Sequence, residues 1–469
     1  MKFKPARLLL LACGLLAQQA WGLTTTPAAA EIKAAWVVLG SGGQAIARVV
    51  TSAGSCPDLL VDGISRRMQL RAGAETVAQR PTASAPADSK PSAFPVTTCE
   101  LPLPATTREA RLGKRKLPLP KAEPQRIVII GDTGCRMKKS DNLWQDCSSP
   151  EDWPFINNAR IAASLKPDLV LHVGDYQYRE NPCPADVKGC QDSPWGYGWD
   201  VWQAEVFTPA APLLAAAPWI MVRGNHEECA RGGQGWFRFM DAQAYAAGRS
   251  CNAAEDDASA NFSDPYAVPL GKDSQVIVFD SAKAGNGPLD LDKPADIAAF
   301  AKYRLQFEEV NKLAAKPGVR SLFTNHHPIL GLTPKSANSV FGGNRALLAV
   351  MRTLNATAYY PPGIELALHG HTHLFEAIGF SSDHPATLLS GNGGDHVDKP
   401  LPDPLPAGTS AAEGVSIEHI THSNSFGFLL MERQPGGWTF KAYRHDGSLM
   451  TTCRVKQRKL DCEQSGFVR

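Results

Sequence analysis

Long hydrophobic runs are scarce in this chain of 469 residues. Beyond the first 22 residues no stretch approaches the roughly 20 consecutive apolar residues that a membrane-spanning helix needs, so a soluble mature protein is expected. An excess of charge of one sign is missing too. Lys and Arg number 48 against 46 Asp and Glu, for a formal net charge of +2. That balance offers no nucleic-acid-binding surface. No C-x-x-C pair occurs among the 11 cysteines, which argues against a cysteine-bound zinc cluster. There is no internal repeat, so a solenoid is not indicated. The composition, 43% hydrophobic and 20% charged, is that of a packed globular protein and not of a disordered one. The length exceeds one compact core and points to a large domain with a smaller one beside it.

The first 22 residues read as a secretory signal. Lys2, Lys4 and Arg7 precede the apolar run Leu8–Leu16, and Ala20-Trp21-Gly22 offers small residues for cleavage. Leu10–Gly14 is an alternative lipoprotein box around Cys13, but only about five apolar residues precede that cysteine. Loss of residues 1–22 takes three positive charges and moves the net charge from +2 to −1. An exported protein, periplasmic or secreted, is therefore expected. The ten cysteines left after Cys13 form neighbouring couples: Cys56/Cys99, Cys135/Cys147, Cys183/Cys190, Cys229/Cys251 and Cys453/Cys462. Five local disulfides are the simplest expectation for an oxidising compartment.

Two parts differ in texture. Residues 23–120 read as a small all-β domain with strands at Ala35–Leu39 and Ala45–Thr51, closed by Cys56–Cys99. Arg80–Pro95 resembles a long loop, Arg111–Lys116 a basic solvated linker, and Leu117–Pro124 a Pro-rich linker. Residues 121–469 alternate strands with helices. Strands are expected at Arg126–Ile130, Asp168–Val173, Trp219–Val222, Gln275–Phe279, Val319–Thr324 and Ile364–Leu368. Helices are expected at Asn157–Leu165 and Ala295–Ala315, and an antiparallel pair at Phe426–Glu432 and Trp438–Tyr443. The fold class is α/β with sheet-on-sheet layers.

Five short segments end these hydrophobic runs: Gly131-Asp132-Thr133-Gly134, Gly174-Asp175-Tyr176-Gln177-Tyr178, Gly224-Asn225-His226-Glu227, Asn325-His326-His327-Pro328 and Gly370-His371-Thr372-His373. Each stands where a strand meets a turn, and ligands in open α/β sheets gather at the carboxyl ends of strands. Carboxylate, phenolate, amide and imidazole groups in this number suffice for two metal ions side by side, a hallmark of hydrolases acting on phosphate esters. Taken singly, each segment is a weak signal; the five in order are a strong one. Tyr176 competes with Tyr178, and His327 with His326. His172 reads as a packed histidine. Glu227 reads as orienting His226 or pairing with a cation, and Ser390–His396 as a tight loop near the site.

In this order the segments resemble the calcineurin-like metallophosphoesterases, and within them the purple acid phosphatases, over Arg126–Tyr443. Gly134 stands where other members place a metal-binding histidine, and Tyr178 follows Asp175 by three residues. The resemblance implies a layered β-sandwich flanked by helices, with a small β domain where plant-type members carry a fibronectin-like one. Carried over residue by residue, it implies a first metal on Asp132, Tyr178 and His373, a second on Asn225, His326 and His371, and Asp175 bridging. Hard oxygen donors suit Fe3+, and the amide and imidazoles a divalent Zn2+, Fe2+ or Mn2+. One carboxylate oxygen for each ion is the expected form of the bridge. His226 is the candidate to contact phosphate or protonate the leaving oxygen.

The implied activity is hydrolysis of phosphate monoesters by metal-activated hydroxide, with a phosphodiesterase or nucleotidase as the alternative and a non-catalytic binding protein as a lesser one. After His373 the chain reads Leu374-Phe375-Glu376-Ala377 and lacks the longer charged signature of plant-type members, which weakens any transfer of substrate preference. Oligomeric state is left open.

Overall fold

The structure, a computed structural model, describes Met1 and residues 31–469. The expected signal segment therefore lies outside the described residues apart from Met1.

Two large sheets dominate. The larger has 11 strands. Its centre is parallel: Arg126–Ile130 beside Leu169–His172 beside Trp219–Met221. Gly427–Gln434 pairs antiparallel on one side of that centre, followed by Gly437–Arg444, Leu449–Lys456 and Lys459–Cys462. The smaller sheet has eight strands, with Ser274–Val278, Arg320–Thr324, Ile364–His369 and Ala386–Ser390 parallel at its centre.

Side chains alternate across a strand, so each sheet presents two faces. Ile127, Ile129, Leu169, Leu171 and Ile220 of the larger sheet share a buried core with Val276, Val278, Leu322, Leu366 and Leu368 of the smaller. The intervening residues turn outward. Val128, Ile130 and Val170 pack on Phe155, Ala159 and Ala162 of the helix Phe155–Ser164. Ile277, Phe323 and Ala367 pack on Tyr303, Phe307 and Leu347, from the helices Pro294–Ala314 and Arg345–Asn355. The result is sheet on sheet with helices outside, the layered arrangement that the resemblance implies. Strands buried on both faces explain the continuous apolar runs of the sequence.

The N-terminal region is strand-rich, and it continues the larger sheet. Ile32–Leu39 meets Trp219–Met221 in parallel through Val38 and Trp219, and Ala45–Thr51, Thr97–Pro102 and Gln69–Ala72 follow outward. The run Arg111–Lys116, expected as a linker, instead forms a hairpin. Ala110–Leu112 pairs with Arg115–Lys116 around Gly113, whose φ of 56° suits a tight turn. Arg80–Pro95 is not wholly a loop either, since Ser92–Phe94 pairs with Glu75–Val77. All five cysteine couples are disulfides, and three of them brace loops that follow the motif segments. Five disulfides fit an oxidising compartment. Among the described residues no helix is long and apolar enough to cross a membrane.

Candidate functional site

All five motif segments leave the carboxyl ends of parallel strands in the two facing sheets, so they meet at one edge of the sandwich. Three of their non-glycine residues adopt left-handed backbone: Asp132 at φ 54°, Asp175 at 56° and His371 at 69°. Such conformations cost on the order of 1–3 kcal/mol each and persist where the surroundings hold them. Gly224 is needed for close approach, because a Cβ there would fall on Asp175 Oδ1. At Gly134 a Cβ would stand 2.8 Å from the Tyr178 ring, so tyrosine occupies the space a side chain at 134 would use.

The structure brings all seven expected ligand residues together. Tyr178 Oη lies 3.1 Å from Asp132 Oδ1, 2.9 Å from Asp175 Oδ2 and 3.1 Å from His373 Nε2. His373 Nε2 is in turn 3.3 Å from Asp132 Oδ1. A second group adjoins the first. Asn225 Oδ1 lies 3.1 Å from His326 Nε2 and 2.9 Å from His371 Nδ1, and those two nitrogens are 3.3 Å apart. Asp175 Oδ2 belongs to both groups, at 3.0 Å from His326 Nε2. Oδ1 of Asp175 accepts the His226 backbone N–H at 2.8 Å, and Oδ2 faces both groups.

The donor set fits metal ions on its own chemistry. Each histidine uses its outer nitrogen as a donor. His326 Nδ1–H donates to the Val173 carbonyl at 2.9 Å, His371 Nε2–H to Asn286 Oδ1 at 2.9 Å, and His373 Nδ1–H to the His396 carbonyl at 2.8 Å. With a metal ion in place of the inner proton, the inner nitrogens would present lone pairs, as in metal-binding histidines. Lone pairs facing one another and facing carboxylates need a cation between them. Donor separations of 2.9–3.3 Å are also the edges expected around an ion bound at about 2.0–2.2 Å.

Local electrostatics agree. Burial opposes charge on His326, yet Asp175 and Asp132 hold its pKa at about 9. Burial likewise opposes charge on His373, but Asp395 and Asp132 bring it to about 10. The pocket draws positive charge. His371 is pushed down by burial and by its neighbours His327 and His326.

His226 stands beside the two groups. Its ring lies 3.9 Å from the Tyr178 ring, and Nε2 is 4.0 Å from Asp175 Oδ2. Burial lowers its pKa despite the Asp175 charge. Its Nδ1 is 2.7 Å from Glu180 Oε1. Burial alone would raise the Glu180 pKa, but Arg231 and His226 hold it at about 2. Glu227 does not contact His226 as expected. It accepts backbone N–H groups of Gly224, Asp175 and Tyr176 at 2.8–3.1 Å, clamping two motif turns together.

The competitors fall outside the groups. Tyr176 stacks on His172 at 3.8 Å, and His327 Nδ1 faces Ser281 Oγ at 3.0 Å. His172 is packed and bonds Thr133 Oγ1 at 3.0 Å. His396 contributes its carbonyl while its residue is exposed.

Several contributors lie outside the five motif segments, and of these only Asp395 falls in a stretch expected near the site, the loop Ser390–His396. Glu205 accepts the backbone N–H groups of Cys135 and Tyr178 at 2.8 and 3.1 Å. Asp395 lies 3.3 Å from His373 Nδ1 and accepts from Arg136 Nε at 3.0 Å. The Arg136 guanidinium in turn lies 4.7 Å over the Tyr178 ring. Glu205 and Arg136 had no such marker, and only the fold brings them in.

Comparison with known proteins bears on the fold and family. A model of the calcineurin-like phosphoesterases matches residues 125–375. A purple acid phosphatase from seeds of yellow lupin (Lupinus luteus) superposes with a TM-score of 0.50 at 16% identity, over 89% of this chain and 73% of that one. At that identity the likeness speaks for the fold alone. A conserved protein of Streptococcus pneumoniae, described as a predicted phosphoesterase, gives a TM-score of 0.23 at 11% identity, over 74% of this chain and all of that one, and carries no argument. No curated protein matches the chain.

Proposed function

The chain belongs to the calcineurin-like phosphoesterases, and we propose that it acts as an exported phosphatase on phosphate monoesters, of the purple acid phosphatase kind. Membership makes it a metal-dependent phosphoester hydrolase with a two-metal centre. The finer reading is carried by one observation: the buried Tyr178 hydroxyl lies within 3.1 Å of Asp132, Asp175 and His373. In this reading Asp132, Tyr178 and His373 hold Fe3+. Asn225, His326 and His371 hold a divalent Zn2+, Fe2+ or Mn2+, and Asp175 serves both.

The ions, when bound, supply Lewis-acid neutralisation of the phosphate oxygens and an acidified water as nucleophile. The chain's own residues do the rest. The histidines keep their lone pairs inward because the Val173 and His396 carbonyls and Asn286 take their outer protons. His226, positioned by Glu180, contacts the phosphate or gives a proton to the leaving oxygen. Arg136 and Asp395 hold Tyr178 and His373 in place. The division of the chain near residue 120 belongs to the same reading, with the N-terminal β region serving as an added flank of the catalytic sheet. Export is supported by the five disulfides.

The test is turnover of an aryl phosphate monoester and its matching diester by the metal-replete protein, from acid to alkaline pH. Monoester turnover peaking in acid is expected, and diester preference would replace the monoesterase with a phosphodiesterase. Phenolate bound to ferric iron also absorbs visible light. The oxidised protein should be coloured, and Tyr178→Phe should remove the band while protein and secondary structure persist. An unchanged band would remove Tyr178 from the iron.

A further inference from the structure

We infer that a cleft opening beside His371 receives the alcohol part of the ester, and that this alcohol is bulky and apolar. The inference rests on the phosphatase reading and names its substrate class.

The cleft has a volume of about 770 Å³. A volume of that size accommodates a group of ten or more heavy atoms, far more than a short alkyl chain fills. Its lining includes His371 and the exposed Asn286, joined by the 2.9 Å bond that orients the imidazole. From there it runs outward between the hairpin of Thr333–Ser336 and Ser339–Phe341, the start of the helix Arg345–Asn355, and residues 411–413. Thr333 Oγ1 lies 2.9 Å from Thr372 Oγ1, which ties the hairpin to the last motif segment. A phosphate seated against His371 therefore has its ester substituent at the mouth of this cleft.

The walls decide the chemistry. Pro328, Pro334, Phe341, Leu348 and Ala411 give an apolar lining. Arg352 is already engaged by Glu413 through two contacts, which leaves the exposed Arg345 as the lining cation without an ion-pair partner among the described residues. Phe341 is 47% exposed, a large apolar ring with Lys335 Nζ 4.9 Å over one face and the rest open to solvent. A substrate that covers it removes that surface from solvent, and each buried methylene is worth a factor of about four in affinity. A small polar alcohol gains none of this.

Two esters whose alcohols have nearly the same acidity separate the cleft from intrinsic reactivity: ethyl phosphate and 2-(1-naphthyl)ethyl phosphate. The unchanged protein should favour the naphthyl ester in kcat/KM by about tenfold or more. Phe341→Ala and Leu348→Asp should each shrink that ratio several-fold. As a readout independent of hydrolysis, 2-(1-naphthyl)ethanol alone should bind, seen by fluorescence anisotropy, and bind more weakly to Phe341→Ala. A ratio near one, or a ratio unaltered in both variants, overturns the inference, as does absence of alcohol binding. Hydrolysis of neither ester with alcohol binding intact overturns the phosphatase reading and leaves the cleft assignment standing.

Discussion

The two halves of the centre share Asp175 and little else. Asp132 and Tyr178 are fully enclosed and His373 is 8% exposed, whereas Asn225 and His371 of the other half are partly open to solvent. One half offers a carboxylate and a phenol, with Asp395 and Arg136 packed behind. The other offers an amide and two imidazoles, and one imidazole is held by the exposed Asn286. Anionic donors in a dry pocket hold a highly charged ion tightly, because low dielectric strengthens every pairing. Neutral donors at an opening suit an ion that must also meet substrate. In the proposed function, that difference would divide one centre between retention and access.

Asp175→Ala should erase the comparison, since its Oδ2 serves both halves. Loss of both ions and of turnover is expected, by metal analysis and assay. Retention of one ion would show that a half stands alone. His226→Ala should leave both halves loaded while lowering kcat by about 10²–10⁴, the usual worth of a proton donor at the reacting group. Loss of metal together with rate would make His226 structural. Asn286→Ala should weaken only the open half, by about 10–100-fold in metal affinity, because the outer bond that fixes His371 is gone. A chelator time course checks this: one ion should leave early in both proteins, and earlier in the variant, with the enclosed ion unaffected.

The smallest effect lies away from both halves. Glu376 is buried in the smaller sheet and accepts one N–H, from Leu332 at 3.1 Å. Burial pushes its pKa from 4.5 up to about 8. A carboxyl raised in the folded state contributes stability that is present below about pH 4.5 and is lost as pH rises towards 8. Glu376→Gln should therefore narrow the fall in Tm between pH 5 and pH 8 by about 2 °C or more. An unchanged fall would mean Glu376 is ionised in the fold. It contrasts with Asp132 and Asp175, whose burial is matched by donors arranged for a cation.

Much of the catalytic region was readable in the chain. Arg126–Ile130 and its parallel neighbours announce themselves as unbroken apolar runs, since burial on both faces leaves no polar position. The ligands follow those runs at once, so local turns mark them. Other features had no such marker. The helix Arg345–Asn355 was not anticipated, and neither was the merging of Ile32–Leu39 into the larger sheet, which depends on a single parallel pairing with residues far along the chain. The basic run at 111–116 looked solvated because its strands are short and Arg115–Lys116 is exposed. Glu180 reaches His226 across 46 residues of sequence, so Glu227, next in the chain, looked the better partner.

What the chain alone determines here is the inventory: alternating strands and helices, ten cysteines in local couples, and a set of donors placed at strand ends. These are short-range properties, set by periodicity and by which side chains flank a turn. Tertiary structure decides how the donors face one another. It selects Tyr178 over Tyr176 for the cluster, aims one oxygen of Asp175 at both groups, and opens one half while closing the other. Those outcomes depend on distances between segments hundreds of residues apart, which only the packing of two sheets into one sandwich sets.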